Sequence, residues 1–178
     1  MSVEDLDGAS GYRRDFPYHD ENLLMLGWYA RRLEATLRRR GARRILSLGV
    51  GHRVVSRRLG GLLGAGVDSY TIVEGSAARI EELRQDGGLP AGVDVVHAYF
   101  EDYAPTFPVD AVEMGFVLEH VANPDRLVRR YAGFLAQDGL AAIAVPNARR
   151  SATGGSRRNR SANGAVAPVS WVSATTMR

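Results

Sequence analysis

Apolar residues recur every three or four positions near the start of the chain and then gather in short runs. From Asp20 to Arg40 this spacing predicts an amphipathic helix, with Asp20 as its N-cap and Gly41 as its stop. Five short runs follow, with helical segments between most of them: RILSL, SYTIVE, VDVVHA, VDAVEMGF and LAAIAVP. Such runs are typical of strands buried on both faces. The alternation predicts an α/β fold with a mainly parallel sheet and right-handed crossovers.

The helical segments carry boundary signals of their own. HRVVSRRLGGLL follows the first strand as a helix. Ser76 is expected to cap the next helix, and Gly87 and Gly88 to close it. After the fourth strand, Asn123 is the predicted N-cap and Pro124 the first helical residue. We expect that last helix to end at the Asp-Gly pair of residues 138–139.

The pattern stops after Asn147. Residues 148–178 contain no Leu, Ile, Phe, Asp or Glu and show no sustained period. We therefore divide the chain into an N-terminal arm (1–19), an α/β domain (20–147) and a disordered Arg/Ser/Gly-rich tail (148–178). The sheet is expected to be incomplete at its C-terminal end, with an exposed strand edge. Because an alternative frame, under our own choice of codons, gives more helix-like sequence, we interpret the C-terminal part as truncated or translated out of frame.

The net charge of +3 belongs to the tail. All 23 basic residues are Arg, and six of them follow residue 147, which leaves the body with 17 basic and 20 acidic residues. This distribution is weak support for nucleic-acid binding. The chain has no Cys, no apolar run of ~18 residues and a polar N-terminus, so we expect no disulfides, thiolate metal site, membrane span or signal peptide. A cytoplasmic location is the default expectation.

A glycine loop follows the first strand. Gly49 and Gly51 allow close approach of a ligand to the backbone, at a helix N-terminus that favours polar or anionic groups. A tight turn without a ligand fits the same residues. The next glycine is Gly60, so a complete G-x-G-x-x-G fingerprint is missing and dinucleotide binding is disfavoured. Glu74 ends the second strand, where it is either a ribose ligand or a solvated strand end; with the glycine loop, it favours a nucleoside-containing ligand.

The segment YFEDY, residues 99–103, follows the third strand at the same edge of the sheet. An adenine can pack on Phe100 or Tyr99 while Glu101 or Asp102 takes its amino group. Ligands of open α/β sheets bind at this edge. A plain surface loop fits this segment equally well.

The segment MGFVLEHVANP, residues 114–124, places Glu119 and His120 between a strand and a helix. The pair fits a proton acceptor or half of a metal site. Because no second His or acid lies at ligand spacing on this segment, we favour a packed or ligand-lining pair and expect no metal. His52 and His97 fit structural or solvent-facing positions, and His19 is a candidate for covering a ligand, although no neighbouring residue supports that role.

Five motifs in register give the chain a family resemblance: ILSLGVGHRVVSRRL, YTIVEGSAARIEEL, VVHAYFEDY, VDAVEMGFVLEHVANPDRLVRR and GLAAIAVPNA. Over about residues 20–148 it resembles class I S-adenosylmethionine-dependent methyltransferases. It is most similar to the small-molecule branch with a Leu-Glu-His-Val run. The resemblance implies a Rossmann-like three-layer α/β/α sandwich, S-adenosylmethionine as cofactor, and methyl transfer to an oxygen, nitrogen or carbon of a small molecule.

The resemblance also implies roles for individual residues. It implies that Leu48, Gly49 and Gly51 hold the methionine part of the cofactor and that Glu74 binds the ribose. Phe100, Glu101 and Asp102 are expected to cover the adenine. Gly115, Phe116 and Glu119 are expected to line the cofactor on the side of the acceptor. Two positions depart from the family pattern: Ser47 replaces the usual acid of the first motif, and Arg53 replaces a third glycine. We expect Arg53 to pair with the methionine carboxylate. No catalytic base is identifiable, and His120 is a weak candidate.

Other functions stay open. A catalytically inactive cofactor-binding fragment fits the two departures and the anomalous tail. A nucleic-acid binder acting through the tail, and a nicotinamide-dependent oxidoreductase using Glu74 for its ribose, fit fewer of the residues. The sequence indicates neither the acceptor nor the oligomeric state.

Overall fold

The computed structural model of the chain describes residues 19–50, 53–85, 89–145 and 170–173. In chain order its elements are α1 (His19–Arg40), β1 (Arg44–Leu48), α2 (Arg53–Gly60), β2 (Ser69–Glu74), α3 (Ala77–Gln85), β3 (Val93–His97), β4 (Val109–Gly115), a 3₁₀ turn (Leu118–His120), α4 (Pro124–Ala132), β5 (Leu135–Ala144) and β6 (Ser170–Ser173).

The six strands form one sheet in the order β3-β2-β1-β4-β5-β6. The first five pair in parallel, and β6 pairs antiparallel with β5. This arrangement confirms the predicted Rossmann-like α/β fold with a mainly parallel sheet. The strand order reverses between β1 and β4, and in open α/β sheets ligands bind beyond the carboxyl ends of the strands at such a switch point.

Two side-chain caps fix helix starts as the sequence predicts. The Ser76 hydroxyl accepts the N–H of Arg79 at 3.2 Å, and the Asn123 side chain accepts the N–H of Arg126 at 3.0 Å. Each cap satisfies one of the first N–H groups of a helix, which have no partner within the helix. The predicted cap at Asp20 is wrong, because α1 already includes His19.

The predicted end of α4 is also wrong. The helix ends at Ala132, where the N–H of Gly133 bonds to the carbonyls of Arg129 and Arg130. Leu135 already pairs with Val109 in the sheet, so six residues assigned to the helix from sequence belong to a turn and to β5. Pairing with β4 outweighs local helix propensity here, which is a weak preference.

Helices cover both faces of the sheet. On one face, α1 and α2 pack on the sheet, with Tyr29, Leu33 and Leu37 of α1 at most 1% exposed. On the other face, α4 packs through Leu127 and Tyr131. Burying a large apolar side chain stabilises a fold by about 1.5–3 kcal/mol, so these contacts hold the three layers together. No helix in the described ranges is long and apolar enough to cross a membrane.

A sixth strand differs from the expectation for the tail. Ser170–Ser173 pairs with Leu140–Ile143 of β5, so the prediction of a tail without regular structure is wrong for these four residues. The outer edge of β5 presents backbone N–H and C=O groups that a further strand can pair with. Trp171 and Val172 are residue types that favour strands. The other residues of the tail lie outside the described ranges.

Candidate functional site

The carboxyl ends of β1, β2 and β4 meet at one edge of the sheet. Leu48 at the end of β1 is in register with Val73, next to Glu74, and Ser47 is in register with Glu113 of β4. The glycine loop, Glu74 and the segment after β4 are thereby brought together, as the sequence predicts. Leu48 itself is fully buried in the core on the α4 side, so only its backbone faces this edge.

Glu74 joins the glycine loop to the start of α3. One carboxylate oxygen accepts the N–H of Val50 and the other accepts the N–H of Ser76, both at 2.9 Å. Gly49 has a φ of 76°, a region that favours glycine, and its N–H donates to the Val73 carbonyl at 2.7 Å. The loop is tied down again where the Ser56 hydroxyl donates to the Val50 carbonyl at 2.8 Å. Glu74 is therefore a structural part of the loop as well as a ligand candidate.

The loop after β3 lies at the same edge. Phe100 is half-buried against the α4-side core, and its carbonyl accepts the hydroxyl of Tyr131 at 2.8 Å. The Asp102 N–H bonds to the Tyr99 carbonyl at 3.1 Å. Glu101 and Asp102 are exposed, so their carboxylates are free to meet a ligand.

The segment after β4 turns sharply. A Cβ on Gly115 would stand 2.5 Å from Oε1 of Glu113 and 3.2 Å from a ring carbon of Tyr29, so a larger residue here would displace the Glu113 carboxyl group. Phe116 has a φ of 59°, which is uncommon for a residue other than glycine, and its N–H donates to the Ala144 carbonyl at 2.8 Å. Such backbone strain clusters at functional sites.

Glu119 and His120 occupy the 3₁₀ turn that follows. The side chains of both residues are exposed. The carboxyl group of Glu119 is nevertheless partly shielded from water, and this raises its pKa above the usual value. The structure thus gives the pair the exposed position that proton transfer with a bound molecule needs.

Arg53 and His97 are two further residues that the sequence singles out. Arg53 is the first residue of α2, directly after the loop. Gly51 and His52 lie outside the described residues. The Nε2 atom of His97 is 3.0 Å from the Gly75 carbonyl, which gives it the structural role expected. Within the described ranges, no three His, Asp or Glu side chains are grouped so that they could hold a metal ion.

One buried acid was missed from the sequence. Glu113 in β4 is 5% exposed and accepts the Tyr29 hydroxyl at 3.1 Å. Burial raises the pKa of Glu113 to about 7, while hydrogen bonds from Ser47, Tyr29 and the Gly115 backbone oppose the rise. An acid inside the apolar run VDAVEMGF was a usable signal, because an ionisable group is seldom buried without partners.

The donors and acceptors at this edge suit S-adenosylmethionine. Each oxygen of Glu74 accepts one backbone amide and keeps a lone pair for a ribose hydroxyl. The half-buried Phe100 offers an apolar ring surface beside this edge. A ligand with a diol and an aromatic base therefore matches the residues present.

Comparisons with known proteins agree with this fold. The profile of a family described as "Methyltransferase domain" matches residues 19–178. The structure is similar to DhpI in a complex with SAM and HEP, with 23% identity over 84% of this chain and 63% of that one, at a TM-score of 0.59. It is also similar to CalS10, a SAM-bound amino pentose methyltransferase from Micromonospora echinaspora, with 17% identity over 82% and 56% of the two chains and a TM-score of 0.55.

A third similar structure is coclaurine N-methyltransferase bound to N-methylheliamine and SAH. It is 20% identical over 75% of this chain and 38% of that one, with a TM-score of 0.55. The chain thus spans 38–63% of the lengths of these three proteins. No curated protein matches the sequence significantly.

Proposed function

The chain belongs to the methyltransferase-domain family, and from this we propose that it binds S-adenosylmethionine and transfers its methyl group to an oxygen, nitrogen or carbon of a small molecule. The small-molecule acceptor is proposed because structural neighbours include enzymes named for coclaurine and for an amino pentose. The Leu-Glu-His-Val run of residues 118–121 supports the same branch of the family.

The observation that carries the proposal is the placement of Glu74. Its carboxylate ends β2 and is fixed by the Val50 and Ser76 amides. A carboxylate at this position of an α/β fold accepts hydrogen bonds from both hydroxyls of a ribose. The same contacts also shape the glycine loop, so ribose binding and loop geometry depend on one side chain.

The other roles are assigned on the same basis. The backbone of Leu48, Gly49 and Gly51 would hold the methionine part, and Arg53 at the start of α2 would pair with its carboxylate. Phe100 would pack on the adenine, with Glu101 or Asp102 accepting from its amino group. Gly115, Phe116 and Glu119 would line the cofactor on the side of the acceptor.

When bound, S-adenosylmethionine supplies an activated methyl group on its sulfonium. The protein then has to align the acceptor atom and, where needed, accept its proton. His120, exposed in the 3₁₀ turn, is the group we assign to this second task. Its ring nitrogen would take a proton from an acceptor hydroxyl or amine.

Calorimetric titration with S-adenosylmethionine and S-adenosylhomocysteine at pH 8 tests the proposal. We expect binding by the wild type and a loss of at least ~10-fold in affinity for Glu74→Gln, whose amide cannot accept from both backbone donors and a ribose. Glu81→Gln, an exposed carboxylate on α3, is the matched control and should bind like the wild type. A folded wild-type chain that binds neither compound would contradict the proposal.

An inactive cofactor-binding fragment is the second candidate. It is favoured by Ser47 and Arg53, which stand where the family pattern has an acid and a third glycine. Methyl transfer from a labelled cofactor to a panel of phenols, amines and activated carbon acids separates the two. Cofactor binding without transfer to any acceptor would support the fragment.

A further inference from the structure

Glu113 points along its strand toward the candidate site. The residue lies in the middle of β4, in register with Ser47 of β1. Its Oε1 atom lies only 2.5 Å from the place where a Cβ of Gly115 would stand, so the carboxyl group is directed toward the carboxyl end of the strand. Two residues after Ser47 the chain enters the glycine loop at Gly49. The carboxyl group is therefore buried directly beneath the proposed site.

The groups around this carboxyl are hydroxyls and backbone. Tyr29 of α1 donates to it at 3.1 Å, with the Ala142 carbonyl of β5 3.4 Å from the same hydroxyl. Ser47 of β1 faces it and is 3.0 Å from the hydroxyl of Tyr70 of β2. A buried carboxylate held only by neutral groups is incompletely compensated, and a nearby cation favours its charged form.

We propose that Glu113 is the charge partner of the cofactor's ammonium group, and that cofactor binding converts Glu113 to the carboxylate and releases its proton to solvent. The inference rests on the proposed function and adds a proton linkage to the same site. The proposal also explains why the first motif can have Ser47 in place of the usual acid. The acid missing from β1 is replaced by its register partner on β4, so a carboxylate reaches the same region from the neighbouring strand.

Geometry and charge lead to a defined pH dependence. Burial holds the pKa of Glu113 at about 7 in the free protein. If only the carboxylate form binds well, the titration of Glu113 alone makes affinity about tenfold weaker at pH 6 than at pH 8. The cofactor's own amino group titrates near 8, so about half of it is uncharged at pH 8, and this lowers the expected difference to about fivefold.

Calorimetry at pH 6.5 in phosphate and in imidazole tests the linkage, because both buffer at this pH and they differ in ionisation enthalpy. We expect release of about 0.8 proton per S-adenosylmethionine bound by the wild type, since about three-quarters of Glu113 is protonated at this pH, and about none by Glu113→Gln. S-adenosylhomocysteine, which keeps the ammonium, should behave in the same way. 5′-Methylthioadenosine lacks the amino-acid end and should release no proton on binding to either protein.

The fold of Glu113→Gln is checked by circular dichroism. A second variant, Tyr29→Phe, tests the inference independently of whether Glu113→Gln folds. Tyr29→Phe removes a hydrogen bond that favours ionisation, so its binding should require a higher pH than that of the wild type. Equal proton release by the wild type and Glu113→Gln, with cofactor bound by both, would overturn the inference and leave the proposed function standing. Absence of binding by the folded wild type at any pH would overturn both.

Discussion

Replacement of Glu113 by Gln should change how stability depends on pH even without a ligand. In the unfolded chain Glu113 titrates near its ordinary value of 4.5, whereas burial raises its pKa to about 7 in the folded protein. Between these values the folded state holds a proton that the unfolded state has lost. The contribution of Glu113 to the free energy of unfolding is thus fully present below pH 4.5 and is lost as the pH rises through 7.

The size of the effect follows from the same two values. A rise in pKa from 4.5 to about 7 corresponds to about 3 kcal/mol. Gln at this position keeps an oxygen that accepts the Tyr29 hydroxyl but cannot ionise. The stability of the wild type relative to Glu113→Gln should therefore fall by about 3 kcal/mol between pH 4.5 and pH 8.

Urea unfolding at half-unit intervals from pH 4.5 to pH 8 measures this difference directly. Taking wild type minus variant cancels every other titrating group that the substitution leaves alone. Glu81→Gln, which removes an exposed carboxylate of α3, serves as a control for the change in net charge. A wild-type-minus-Glu113→Gln difference that stays constant across the range would refute the reasoning.

Three further changes test the packing and the site. Gly60→Ala should lower the free energy of unfolding in urea by about 1–3 kcal/mol, because the new Cβ would stand 2.8 Å from a side-chain carbon of Pro90. Gly61→Ala is the control: its Cβ would make no contact closer than 3.5 Å, so the free energy of unfolding should change far less. Asn123→Ala should lower stability by about 1 kcal/mol through loss of the α4 cap, and Asn123→Asp should restore it. His120→Ala should lower the rate of methyl transfer ~100-fold or more without changing cofactor affinity in calorimetry; an equal loss of affinity would argue for a ligand-lining role.

Local sequence patterns predicted most of the strands of the sheet and two of the helix caps. The strand from Ser69 to Glu74 lies where its apolar run predicts, because Tyr70, Ile72 and Val73 are buried inside the sheet and its composition shows it. The caps at Ser76 and Asn123 formed because a side-chain acceptor beside a helix start has few better partners. The glycine loop and Glu74 came together because parallel strands end at one edge.

What the sequence failed to indicate depends on contacts distant in the chain. Pairing of Leu135 with Val109 shortened α4, and no local signal marks that contact. The strand at Ser170–Ser173 forms against β5, about thirty residues earlier in the chain. Glu113 was passed over because its partners, Tyr29 and Ser47, lie 84 and 66 positions away. The assignments of cofactor contacts and of His120 stay predictions.

The two amides that hold Glu74 have a further consequence for recognition. A flexible glutamate loses rotamer freedom when it grips a ligand, at a cost of about 0.5–1.5 kcal/mol for an immobilised side chain. Here the Val50 and Ser76 N–H groups have already fixed both oxygens before any ligand arrives. A ribose therefore meets a preorganised carboxylate. The entropy cost of ordering the Glu74 side chain arises when the chain folds and not when the cofactor binds.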